Sequence, residues 1–69
     1  MGVSYKKLFM LLVARDMKKK DLQELAGVSS STMAKLAKGE YVSLEVLTKI
    51  CCALNVEMGE IVDVLRPEA

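Results

Sequence analysis

The side chains best suited to chemistry in this 69-residue chain are hydroxyls and ammonium groups. Ser29, Ser30, Ser31 and Thr32 are consecutive, Lys35 and Lys38 follow at helical spacing, and Lys18, Lys19 and Lys20 precede them. A hydroxyl both donates and accepts hydrogen bonds, and a lysine ammonium is a compact positive charge. The set therefore suits recognition of a polyanion better than bond making. Histidine is absent, which removes the commonest general base. No cofactor fingerprint or paired-carboxylate arrangement takes its place, so no catalytic residue, cofactor or small-molecule ligand is expected, and the chain does not read as an enzyme. The two cysteines, Cys51 and Cys52, are adjacent. That spacing completes no tetrahedral zinc site and closes no useful disulfide loop, so no metal is expected and two reduced thiols in a cytoplasmic protein are.

Length allows one domain over residues 1–69, with its core between about 4 and 65. A unit this small buries only about 60% of its extended-chain surface, so the core must be economical. Hydrophobic residues make up 52% of the chain and the mean hydropathy is +0.27, far from the profile of a disordered segment. With two Tyr, one Phe and no Trp, the core must be aliphatic, which favours packed helices. The longest apolar run, Leu8 to Ala14, falls well short of the roughly 20 residues that cross a bilayer, and no cleavable signal pattern precedes it. A soluble chain without membrane association is expected. Its net charge of +1 hides an asymmetry: residues 1–39 carry eight Lys/Arg against three acids, and residues 40–69 carry two against six. The basic half is the one that would face a polyanion.

Five elements must position these groups. The first helix is expected from an N-cap at Ser4 to about Arg15. At about 100° per residue, Leu11, Leu8, Leu12, Tyr5, Phe9 and Val13 fill an arc of roughly 200°. That is wider than one core contact needs, so Phe9 and Val13, with Met10, either cover a second surface or form the edge of the core. A second helix, about Lys19 to Ala26, buries Leu22, Leu25 and Ala26 and stops at Gly27, where a left-handed conformation costs little. Ser29 caps a third helix that ends before Gly39, and Ser43 caps a fourth that reaches Leu54 and Asn55. Its inward arc is Leu44, Leu47, Ile50, Cys51 and Leu54. A fifth element covers about Met58 to Leu65; its β-branched Ile61, Val62 and Val64 equally suit a short edge strand.

From Lys19 to Lys38 the chain reads KKDLQELAGVSSSTMAKLAK. Two helices joined by a short glycine-containing turn form a helix-turn-helix, in which the first presents the second outward. On the second helix Thr32, Leu36, Met33 and Ala37 occupy one side, and Ser30, Ala34, Lys38, Ser31 and Lys35 the other. The outer side is small, polar and basic. Small side chains let a helix enter a major groove, serine hydroxyls bond either kind of base edge, and a lysine reaches guanine O6 or N7. Helix N-termini and Lys18 to Lys20 attract phosphate. Read singly, a lysine-bearing helix face is a solvated surface and a serine run a helix cap; their coincidence beyond Gly27 is what points to nucleic acid.

The pattern resembles the Xre/Cro-type helix-turn-helix domains of phage repressors and small prokaryotic regulators, and the likeness continues through LAKGEYVSLEVLTKICCALNVEMGEIVDV, covering about residues 5 to 65. It implies an all-α, compact, five-helix, phage-repressor-like domain whose third helix reads double-stranded DNA. Base-edge contacts are implied for Ser30, Ser31 and Lys35, with Thr32 beside them. Phosphate contacts are implied for Lys19 and neighbouring Lys18, for Ser29, and for the connection that contains Lys38, Tyr41 and Ser43. The chain departs from the family pattern at Gln23, where a small alanine is usual, at Lys18, where a Ser or Thr cap is common, and at Leu12 and Ala37, where some members carry a buried ion pair.

Such proteins read two half-sites about 34 Å apart, one turn of B-DNA, so a homodimer on a pseudo-palindromic operator is expected. The contact is expected on Val56, Met58, Ile61, Val62 and Leu65. Cys51 reads as a core residue and Cys52 as an outer one. The function expected is a dimeric transcriptional regulator, a repressor by occupation of its operator. Its rival is a protein-interaction module, an antitoxin or adaptor, that uses the Phe9 and Val13 surface.

Overall fold

The computed structural model describes residues 2–67; Met1, Glu68 and Ala69 lie outside them. A short strand β1 (Gly2–Ser4) leads into four helices, α1 (Lys6–Ala14), α2 (Lys19–Ala26), α3 (Ser30–Lys38) and α4 (Leu44–Leu54). A single 3-10 turn (Met58–Glu60) and strand β2 (Asp63–Leu65) follow. β1 and β2 pair antiparallel with Gly2 opposite Leu65, Val3 opposite Val64 and Ser4 opposite Asp63. The fold is mostly helical, with a helix-turn-helix at its centre and a small ribbon joining its two ends.

The helix boundaries follow local rules. Ser29 Oγ accepts the Thr32 amide at 3.2 Å and Ser43 Oγ accepts the Val46 amide at 3.2 Å, satisfying donors that a helix start leaves free. Lys18 offers no such oxygen. The Asp21 carboxylate does the reverse half of that task, accepting the Lys18 amide at 2.9 Å and placing a negative charge in the first turn of α2. Gly27 and Gly39 end α2 and α3 at φ 69° and 75°, and Asn55 ends α4 at φ 56°, the left-handed region where glycine and asparagine cost least.

The core is Tyr5, Leu8, Leu12, Leu22, Val28, Met33, Leu36, Ile50, Leu54 and Ile61, drawn from all four helices, from the residue before α1, from the turn between α2 and α3 and from the residue after the 3-10 turn. Each fully buried Leu or Ile contributes about 1.5–3 kcal/mol. α2 contributes Leu22 fully, with Ala26 and Gln23 half-buried beside it. Gln23 is thus accommodated at the flank where a small residue is usual, and its carbonyl accepts the amides of both Gly27 and Val28, which shapes the turn into α3.

Several expectations are corrected. Helix α1 does not start at Ser4: that residue pairs with Asp63 in the ribbon, its hydroxyl accepts the Lys6 amide at a long 3.4 Å, and the helix begins at Lys6. Leu25 and Leu44, assigned to inward arcs, are 59% and 69% exposed. In α2 the buried arc is centred on Leu22 and Ala26 and swings toward Gln23, leaving Leu25 on the far flank; in α4 it is centred on Ile50 and Leu54, and Leu44 lies on the wet side of the first turn. Ala37 is exposed as well. The fifth element is not a helix. One 3-10 turn carries the chain to Ile61, which is fully buried, and the β-branched residues that follow find in β1 the partner a strand requires. Among the described residues no helix is long and apolar enough to cross a membrane.

Candidate nucleic-acid interface

Helix α3 buries only Met33 and Leu36. Ser30, Ser31, Ala34, Lys35, Ala37 and Lys38 are exposed, and Thr32 is half-buried. A rod of nine residues held by two deep anchors has most of its surface free, and that surface carries hydroxyls, methyl groups and two ammonium groups. At its start the hydroxyls form a cluster. Ser29 Oγ lies 3.0 Å from Ser31 Oγ and 2.9 Å from Thr32 Oγ1 while it caps the Thr32 amide. Ser29, Ser31 and Thr32 are thus brought together and pre-oriented. Ser30 makes no side-chain hydrogen bond among the described residues, and its hydroxyl is free for a ligand.

The phosphate candidates divide between α2 and the α3–α4 connection. Lys18, Lys19 and Lys20 are exposed at the start of α2. The Lys19 ammonium sits over the Phe9 ring, 5.1 Å from its centroid, a cation–π contact that joins α1 to the start of α2. This assigns Phe9 a role that its helical position alone left open. Lys38, Tyr41 and Ser43 are exposed along the connection. What steadies that connection is Tyr5, whose hydroxyl donates to the Glu40 carbonyl at 2.8 Å. Sequence reasoning placed Tyr5 in the core and missed its polar end, since nothing local marks a phenol as the anchor of a loop 35 residues away. Arg15 was also missed: its guanidinium donates to the Leu54 carbonyl at 2.6 Å, satisfying an acceptor at the C-terminal end of α4 where a positive charge is favourable.

The residues expected at a dimer contact differ in burial. Ile61 is sealed in the core and is corrected from interface to interior residue, because the turn before it folds its side chain under the helices. Val56, Met58 and Val62 are half-buried against the core, and Leu65 stands partly exposed in β2. Val56 and Met58 border a surface hollow that also contains Cys51 and Cys52. Burial, and then the nearby Cys52, Glu57 and Glu60, push the Cys51 thiol up, which disfavours the nucleophilic thiolate. Among the described residues no group of three or more His, Cys, Asp or Glu side chains comes together to hold a metal ion.

Two short helices joined at Gly27, the second capped by serine with its polar side turned to solvent, define a helix-turn-helix DNA-binding domain. Residues 7–65 match the family model of the Cro/C1-type HTH DNA-binding domain, and the chain belongs to that family. The crystal structure of the transcriptional regulator VanUg is similar to this chain with a TM-score of 0.91 and 55% sequence identity, over 96% of this chain and 88% of that one. Comparison with curated proteins gives no match.

Proposed function

We propose that this protein is a sequence-specific, double-stranded-DNA-binding transcriptional regulator that acts as a homodimer and represses by occupying its operator. The observation that carries this reading is the solvent side of α3, where Ser30, Ser31 and Lys35 stand exposed on a helix anchored from behind by Met33 and Leu36. In the major groove Ser30, Ser31 and Lys35, with Thr32 beside them, contact base edges. Lys18, Lys19, Ser29, Lys38, Tyr41 and Ser43 contact phosphates and set position and affinity. Binding, not catalysis, is the activity. The likeness to a transcriptional regulator at 55% identity supports a regulatory role.

The test is binding to a site selected from a random DNA pool, followed over a range of salt concentrations. Lys35→Ala is expected to cost about 1–3 kcal/mol and relax the base preference at one position, and Lys19→Ala to weaken all sequences alike with a salt slope shallower by about 1. Affinity indifferent to both substitutions and to salt would overturn the reading. The outcome would then favour a protein-binding module, which the exposure of Met10 (71%) and Val13 (79%) on α1 independently suggests.

A further inference from the structure

Three outward residues in the first half of α3, Ser30, Ser31 and Ala34, carry the shortest side chains a helix can present apart from glycine, and all three are exposed. A serine hydroxyl stands only one atom beyond its Cβ. A helix that brings these hydroxyls within hydrogen-bonding distance of a base edge therefore brings the Ala34 methyl into van der Waals reach of the same edge. Lys35 and Lys38 are long enough to bend aside.

Ala34 follows Ser30 by one helical turn, which sets their Cβ atoms about 5–6 Å apart on one face. Helical Cα–Cβ bonds tilt toward the N-terminus, so the methyl leans toward the end of the helix that contacts bases in a major groove. The neighbouring groups are otherwise occupied. Ser31 and Thr32 have their hydroxyls on Ser29 at 3.0 and 2.9 Å, and Thr32 is half-buried. Ala37, the other exposed methyl of α3, stands one turn after the buried Met33, on the flank of the anchors and nearer the C-terminal end. What remains at the reading end is a free hydroxyl, Ser30, beside a free methyl, Ala34.

That pair matches the major-groove edge of a pyrimidine, where the substituent at C4 lies next to C5. Thymine offers the O4 acceptor and a 5-methyl; cytosine offers the N4 donor and a bare C5. A hydroxyl bonds O4 or N4 with equal ease, so Ser30 alone does not tell the two pyrimidines apart. The methyl of Ala34 does, because it gains an apolar contact from a 5-methyl and faces a gap without one.

We propose that Ser30 and Ala34 together read one pyrimidine by its 5-methyl group, so that thymine and 5-methylcytosine are bound alike while uracil and unmethylated cytosine are bound less well. C5 methylation of a cytosine at this place in duplex DNA thus strengthens the site. The inference rests on the DNA-binding reading and adds to it a response to a covalent mark on the DNA, which contacts to phosphate do not sense.

Synthetic duplexes of the site selected from the random pool, with uracil replacing each thymine in turn, test the proposal. Burial of one methyl corresponds to about a fourfold change in affinity. Uracil at one thymine of the half-site is expected to weaken binding by that factor. Cytosine there should weaken it at least as much, and 5-methylcytosine should return affinity to within about twofold of thymine. In Ala34→Gly the preference for thymine over uracil should vanish, whereas Lys19→Ala, which acts on phosphate, should lower both affinities and keep their ratio. Each ratio compares two DNAs on one protein, so any loss of folded fraction in the glycine variant cancels. A selected half-site without thymine, or uracil tolerated at every position, overturns the proposal without reference to any variant. So does 5-methylcytosine bound no better than cytosine, or a uracil effect of equal size in wild type and Ala34→Gly. In each of those cases a site was selected and the regulator reading stands; a chain that selects no site sinks that reading and this one together.

Discussion

The hydroxyl of Tyr5 donates to the backbone carbonyl of Glu40 at 2.8 Å, linking the residue before α1 to the connection between α3 and α4. This bond joins the ribbon end of the molecule to a loop assigned to phosphate contact. Tyr5→Phe keeps the buried ring and removes the bond, so it is expected to cost about 0.5–1.5 kcal/mol in denaturant unfolding and to weaken DNA binding uniformly across sequences. A substitution that left both quantities at wild-type values would show that the loop is held by other means.

Tyr5 also imposes a pH dependence. Burial first, and the nearby Tyr41 in addition, push its phenol up, with the Val42 amide pulling the other way. The folded pKa thus lies above the unfolded value of about 10. Below pH about 10 the phenol is neutral in both states and its contribution is complete; above it the unfolded chain loses the proton first, and stability falls until the folded tyrosine titrates. Unfolding midpoints compared between pH 8 and pH 11 are expected to drop more for wild type than for Tyr5→Phe. Parallel curves would contradict this.

Arg15 satisfies the Leu54 carbonyl at 2.6 Å. Arg15→Met is expected to destabilise by about 1 kcal/mol, below the range for a charged hydrogen bond because the side chain is largely solvated. Faster amide exchange should be confined to the last turn of α4. Global loosening without that local signature would argue against the contact.

Ser29 and Ser43 both cap helices, but only Ser29 gathers neighbouring hydroxyls. Ser29→Ala and Ser43→Ala should each cost about 1 kcal/mol of stability. Ser29→Ala should additionally lower base selectivity, since Ser31 and Thr32 lose their common partner. Equal selectivity in the two variants would remove the hydroxyl cluster from the recognition surface.

Leu25 and Leu44 stand in solvent, whereas Leu22 is sealed. Leu25→Gln and Leu44→Gln are expected to change unfolding free energy by no more than about 0.5 kcal/mol, and Leu22→Ala to cost about 2–5 kcal/mol. A large loss at Leu25 or Leu44 would mean that another molecule covers them.

Much of this was legible because it is local. Ser29, Gly39, Ser43 and Asn55 mark helix ends through hydrogen bonds and backbone angles that involve only a few neighbours, and the turn at Gly27 with its flanking apolar spacing marks the helix-turn-helix. The exposed side of α3 followed from the same periodicity. A helical wheel yields an arc but not its centre, and so Leu25 and Leu44 were assigned inward: which flank meets another helix depends on neighbours the wheel does not contain. Lys18 lacked a capping oxygen, and Asp21, three residues on, supplied the interaction from the other side.

What the chain's order of residues determined alone is where α2, α3 and α4 begin and end and which short helix shows serine and lysine to solvent, for those are matters of near neighbours and of a 3.6-residue period. The tertiary structure decided the rest. Gly2–Ser4 and Asp63–Leu65 become strands only because each meets the other across nearly the whole length of the chain, and Tyr5, Arg15 and Lys19 acquire the Glu40 carbonyl, the Leu54 carbonyl and the Phe9 ring only when packing brings those groups within reach.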